Sequence, residues 1–280
     1  MRFSLNEHVK SVHPPPISEV KEWAGQRSAD AAALIDLCQA VPDYAPPAGM
    51  ISHIQQMALD PLTSRYSPDE GLPEVRESVC HRYRRRYAAK INPDQVCLTV
   101  GASAAFWLAM LTLCHAGDEV IVQLPCYFDH PMALGSLGIR PVYAPYKENE
   151  KGLPNPDSIA KLITPRTRAI LLVSPSNPTG AVISPDLLRR LYFLAQQHRI
   201  ALILDETYSD FIEGMPHDLF TMEEWGSTLL QIMSFGKSYA LTGYRAGMLA
   251  AAPEVIRQAL KIQDTMTVCQ PRITQLALQY

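Results

Sequence analysis

From about residue 96 the chain alternates short, continuously apolar runs with longer stretches of helical spacing. The runs are "VCLTV" (96–100), "EVIVQL" (119–124), "AILLV" (169–173), "IALILDE" (200–206) and "LLQIM" (229–233), and "AGMLAA" (246–251) reads as a further strand. Between them lie "SAAFWLAMLTLCH" (103–115) and "SPDLLRRLYFLAQQH" (184–198), the latter with Ser184 placed to cap its first turn. Strands apolar on both faces and separated by helices predict an α/β fold with a mostly parallel central sheet covered by helices on both faces. Before residue 96 the pattern breaks. Residues 1–48 are proline-rich and read as an irregular N-terminal arm or part of a small domain, with one large domain over 49–280. "PEVRESVCHRYRRRYAAK" (73–90) predicts a helix with a basic, tyrosine-interleaved end.

Composition narrows the function classes. The 280 residues are 47% apolar and 19% charged, enough for a sizeable core, and the net charge of −3 favours neither nucleic acid nor a membrane as partner. The basic end of the helix therefore reads as a solvated face at a helix C-terminus, where the dipole favours positive charge. Six cysteines show no metal-ligand spacing and read as buried free thiols of a reducing compartment. The N-terminus lacks the apolar stretch of a signal peptide, so a cytoplasmic protein is expected.

In open parallel sheets, ligands bind where the strands end. After "VCLTV" come Gly101, Ala102 and Ser103 at a helix start, an anion site unless Ser103 merely caps the helix. After "EVIVQL" comes Tyr127, which suits stacking on a flat ring or ordinary packing. "SPSNPTG" fixes Asn177 between two X-Pro bonds, as a ligand or as a turn. Asp205 closes an apolar strand, a costly place for an acid without a cationic partner, and Tyr208 follows it. After "LLQIM" stand Ser234, Lys237 and Arg245. An anion nest, an aromatic, a fixed amide, a buried carboxylate and a lysine beside an arginine together suit one ligand, pyridoxal 5′-phosphate.

"RYSPDEGLPEVR", "TVGAS", "SPSNPTG", "LDETYSDF" and "SFGKSYALTGYRAG" occur in the order and spacing in which the chain resembles the class I/II aminotransferases, pyridoxal-phosphate enzymes of fold-type I. The resemblance implies that Lys237 forms a Schiff base with the cofactor and moves the substrate proton, which needs an amine pKa lowered by nearby positive charge. It implies that Asp205 pairs with the pyridine nitrogen and that Tyr208 and Asn177 bond the ring oxygen. Ser234, Arg245, Gly101, Ala102 and Ser103 are implied to hold the phosphate, and Tyr127 to stack on the ring. Tyr66 is implied to reach the neighbouring active site of a homodimer. The implied substrates are an amino acid and a 2-oxo acid.

Two departures qualify the match. The substrate loop usually reads LGxGxPDF; here it is "LCQAVPDY", with Cys38 and Ala40 in place of glycines. Family members also continue past "RITQLALQY", so the small domain and the arginine for the substrate carboxylate are expected to be incomplete in this stretch. The expected activity is amino-group transfer. Carbon–sulfur β-elimination uses the same motifs, and a cofactor-binding but non-catalytic form is a further alternative.

Overall fold

The computed structural model describes residues 3–28 and 30–280. Ahead of the sheet lie α1 (Glu7–Lys10), α2 (Pro16–Gly25), α3 (Ala48–Ala58) and α4 (Pro73–Tyr87). The sheet region runs β1 (Val96–Val100), α5 (Gly101–Leu113), β2 (Glu119–Gln123), α6 (Asp129–Ser136), β3 (Arg140–Ala144), α7 (Pro156–Ala160), β4 (Thr167–Val173), α8 (Pro185–His198), β5 (Ala201–Asp205), β6 (Leu229–Ser234) and β7 (Ala246–Ala250). Helices α9 (Pro253–Thr267) and α10 (Arg272–Gln279) follow.

The strand order is β1-β7-β6-β5-β4-β2-β3. Every pairing is parallel except those of β7, which runs antiparallel to both β1 and β6. The reason is the connection: no crossover helix lies between β6 and β7, so the chain can only fold back beside the strand it has just left. Two apolar layers sandwich the sheet. On β5, Leu202 and Leu204 face the layer built with α4 and α8, while Ala201 and Ile203 face the layer built with α5, α6 and α9. This alternation makes each strand apolar on both faces.

Several expectations are corrected. β3 was not anticipated, because "RPVYA" begins with an exposed arginine and a proline; it is an edge strand, where a missing N–H costs no ladder bond. The arm is not wholly irregular: α1 and α2 form there, with no buried residue in either. The basic end of α4 is not simply solvated. Arg86 donates to the carbonyls of Ser209 (2.8 Å), Ile212 (2.6 Å) and Gly214, and Arg82 pairs with Asp210. All six cysteines are free, but only Cys80, Cys97 and Cys269 are buried, the other three being half-buried. Ser184 does cap α8, accepting from Leu187 N. Among the described residues no helix is long and apolar enough to cross a membrane, and no cluster of metal-ligating side chains occurs.

Candidate active site

The carboxyl ends of β1, β2, β4, β5 and β6 lie along one edge of the sheet. Because β7 is antiparallel, its amino end and the preceding Arg245 come to that same edge. Sequence-distant residues thus meet through topology alone.

One part of the site is an anion cup. No side chain caps the first turn of α5, so Ser103 is not the N-cap and the leading N–H groups of this thirteen-residue helix remain available. Arg245 lies across that turn: a Cβ added at Gly101 would stand 2.4 Å from its Nη2. Gly101 has φ +79°, a region that favours glycine. From the other side Gly247 packs so closely that an added Cβ would fall 2.3 Å from Gly101 C and 2.5 Å from Ala102 N. Ser234, at the end of β6, has its hydroxyl turned back to accept from Gly236 N at 3.2 Å.

A second part surrounds Asp205, which is 5% exposed. Its Oδ1 accepts from Thr207 N at 3.0 Å, and its Oδ2 lies 3.2 Å from His130 Nε2. A carboxylate can only accept, which places a proton on Nε2. His130 Nδ1 is buried without a hydrogen-bond partner. The imidazole packs on Phe106 (centroids 4.5 Å) and meets Tyr127 edge-on (5.3 Å). Burial, and after it hydrogen bonding to Asp129, raises the Tyr127 hydroxyl well above the ordinary tyrosine range. Burial also raises Tyr208, with the Asp205 charge adding to it and a contact with the Asn177 amide pulling the other way. Tyr127, His130, Asn177, Asp205 and Tyr208 therefore form one neighbourhood.

Lys237 is half-buried beside the cup. Burial first, and the Arg245 charge second, hold its amine below the ordinary lysine range. The lowering anticipated from nearby positive charge is present, with desolvation as its larger cause. Nζ donates to the carbonyl of Ala40, and Tyr44 Oη donates to the carbonyls of Lys237 (2.9 Å) or Ser238 (3.2 Å). The loop carrying Cys38 and Ala40 is thus pinned over the lysine. Tyr66 is 78% exposed.

His130 is the residue that motif reading missed. The signal was available: a buried acid calls for a cationic or donor partner, and a histidine stands three residues beyond Tyr127, in the first turn of α6.

Residues 32–279 match the family model described as aminotransferase class I and II. A probable aspartate/prephenate aminotransferase of Thermus aquaticus is 30% identical over 277 residues, covering 98% of this chain and 71% of that protein. An aromatic aminotransferase of Arabidopsis thaliana is 30% identical over 253 residues, 88% of this chain and 63% of that protein. A solved aspartate aminotransferase from Thermus thermophilus with maleate matches with a TM-score of 0.88 at 28% identity, over 99% of this chain and 72% of that one. The chain spans 63 to 72% of the length of these proteins. With a family match over most of its length, and relatives whose names are those of amino-group transferases, this chain belongs to the class I and II aminotransferases and is an aminotransferase.

Proposed function

We propose that the chain transfers an amino group between an α-amino acid and a 2-oxo acid using pyridoxal 5′-phosphate held covalently at Lys237. The observation that carries this reading is the anion cup set against a lysine of lowered basicity. The cup fits a phosphate monoester: it offers uncapped helix N–H groups, a guanidinium and the Ser234 hydroxyl, and the two glycines leave the approach free of Cβ atoms. When bound, the cofactor supplies an aldehyde that condenses with amines and a ring that withdraws electrons from the substrate Cα.

The rest falls to the chain. Ala102 and Ser103 N–H, Ser234 and Arg245 hold the phosphate. Asp205, oriented by His130 and Thr207 N, presents a carboxylate to a ring N–H. Tyr127 packs against the ring face, and Asn177 and Tyr208 donate to the ring oxygen. Lys237 Nζ, freed when the substrate amine takes its place on the cofactor and less basic than an ordinary lysine, would accept the Cα proton and return it. To act, the amine leaves the Ala40 carbonyl, so the 37–44 loop and the lysine respond to the cofactor together.

We further propose a homodimer in which the exposed Tyr66 reaches the partner's phosphate site, and a reducing, cytoplasmic setting that suits six free cysteines. The functional test is amino transfer from an amino acid to a 2-oxo acid by cofactor-saturated protein, with the K237A variant as control. Activity above that control is expected. Release of pyruvate and thiol from a cysteine thioether, without oxo-acid-dependent transfer, would overturn the assignment in favour of β-elimination.

A further inference from the structure

Arg245 carries the cup's guanidinium, yet its backbone sits at φ +56°. A non-glycine residue in that region is strained by its Cβ, so something must hold it there. Both peptide groups flanking Arg245 are gripped through their carbonyls. Thr274 Oγ1 donates to Tyr244 O at 2.8 Å, and Gln270 Nε2 donates to Arg245 O at 3.3 Å. The same Gln270 amide also donates to Thr99 O, two residues before Gly101. One side chain therefore ties the end of β1, where the cup's helix begins, to the residue that closes the cup.

Gln270 is an expensive choice if packing were its only task. It is fully buried and its Oε1 has no hydrogen-bond partner. An unpartnered buried amide oxygen is unfavourable, and leucine or methionine would fill the same space without that cost. The clamp is itself anchored. Gln275 Nε2 donates to Gln270 O at 2.8 Å and to Ser67 Oγ at 2.7 Å, while its Oε1 accepts from Leu72 N at 2.6 Å. The turn between α9 and α10 is thereby fastened to the 67–72 segment next to Tyr66.

We propose that Gln270 and Thr274 are positioning residues: they hold Arg245 in its left-handed conformation, with the guanidinium across the first turn of α5, and so set the affinity for the phosphate of the bound ligand. This rests on the reading of the cup as the cofactor's phosphate site. The test compares dissociation constants for pyridoxal 5′-phosphate and for pyridoxal, which lacks the phosphate, in wild type and in the R245A, Q270L, T274V and T274S variants. The preference for the phosphorylated ligand should fall roughly a hundredfold in R245A and roughly tenfold in Q270L and in T274V. T274S, which keeps the hydroxyl, should stay close to wild type. If Q270L does not fold, the pair T274V and T274S carries the comparison. An unchanged preference in Q270L and T274V alongside a loss in R245A would overturn the positioning role and leave the phosphate site standing. Equal weakening for both ligands would mark general damage and overturn it as well. An unchanged preference in R245A would overturn the phosphate reading itself, and the inference with it.

Discussion

Gly247 and Gly101 should respond differently to the same added methyl group. At Gly247 a Cβ would stand 2.3 and 2.5 Å from backbone atoms of Gly101 and Ala102. Carbon contacts need about 3.5 Å, so the first turn of α5 would have to retreat by about 1 Å, and backbone on both sides leaves nothing flexible to yield. G247A should therefore cost about 3 kcal/mol of stability, the upper range of overpacking, and open the cup. At Gly101 the obstructing atom is the far end of the exposed Arg245 side chain, which can swing aside. The stability cost of G101A is then about 1–2 kcal/mol from its left-handed φ. Moving the guanidinium should remove about 2 kcal/mol of charge-assisted bonding, roughly thirtyfold in the dissociation constant for pyridoxal 5′-phosphate. Gly243 serves as control, since an added Cβ there meets nothing within 4 Å. G243A should lie within about 0.5 kcal/mol of wild type. Urea denaturation and ligand titration of the three variants provide the readouts. If G247A were as stable as G243A and bound the ligand equally well, the packing argument would be refuted.

Asp205→Asn keeps the acceptor for Thr207 N but removes the charge, so cofactor binding should persist while transfer falls by roughly a hundredfold or more; a variant above about a tenth of wild-type activity would contradict the assignment. His130→Phe preserves packing on Phe106 but removes the donor to Asp205 Oδ2, so transfer should fall roughly tenfold while the cofactor stays bound, and an unchanged rate would contradict the orienting role. At the opposite end of the sheet, hydrogen bonds chiefly from Arg140, then from Thr164 and Arg166, lower the buried Glu119 carboxyl to about 2. A depressed folded-state pKa means that the unfolded chain binds the proton first. The contribution is complete above about 4.5, the unfolded value, and is lost as pH falls towards 2. E119Q should show a shallower decline of urea midpoint between those limits than wild type, and parallel curves would contradict the assignment.

Most of the site was legible because its residues fall at strand ends, and strand ends are marked by continuous apolar runs. What stayed hidden depended on contacts between distant segments. The direction of β7 follows from a connection too short for a crossover, and it decides that Arg245 shares an edge with Lys237. β3 was masked by Arg140 and Pro141 on an edge with little burial to enforce a pattern. His130 belongs to no motif and gains meaning only from its 3.2 Å approach to Asp205. Gln270 and Thr274 look like ordinary polar helix-end residues until their carbonyl partners are known. Ser103 suits capping by type, but it sits two residues inside the helix and leaves the cup open.

The central claim is that Lys237 is the residue that holds the cofactor. Wild-type protein loaded with pyridoxal 5′-phosphate is reduced with borohydride, digested and mapped by mass spectrometry. The account predicts a single pyridoxyl-phosphate adduct, on Lys237, absent from K237A. An adduct distributed over surface lysines, or one that persists undiminished in K237A, would contradict it.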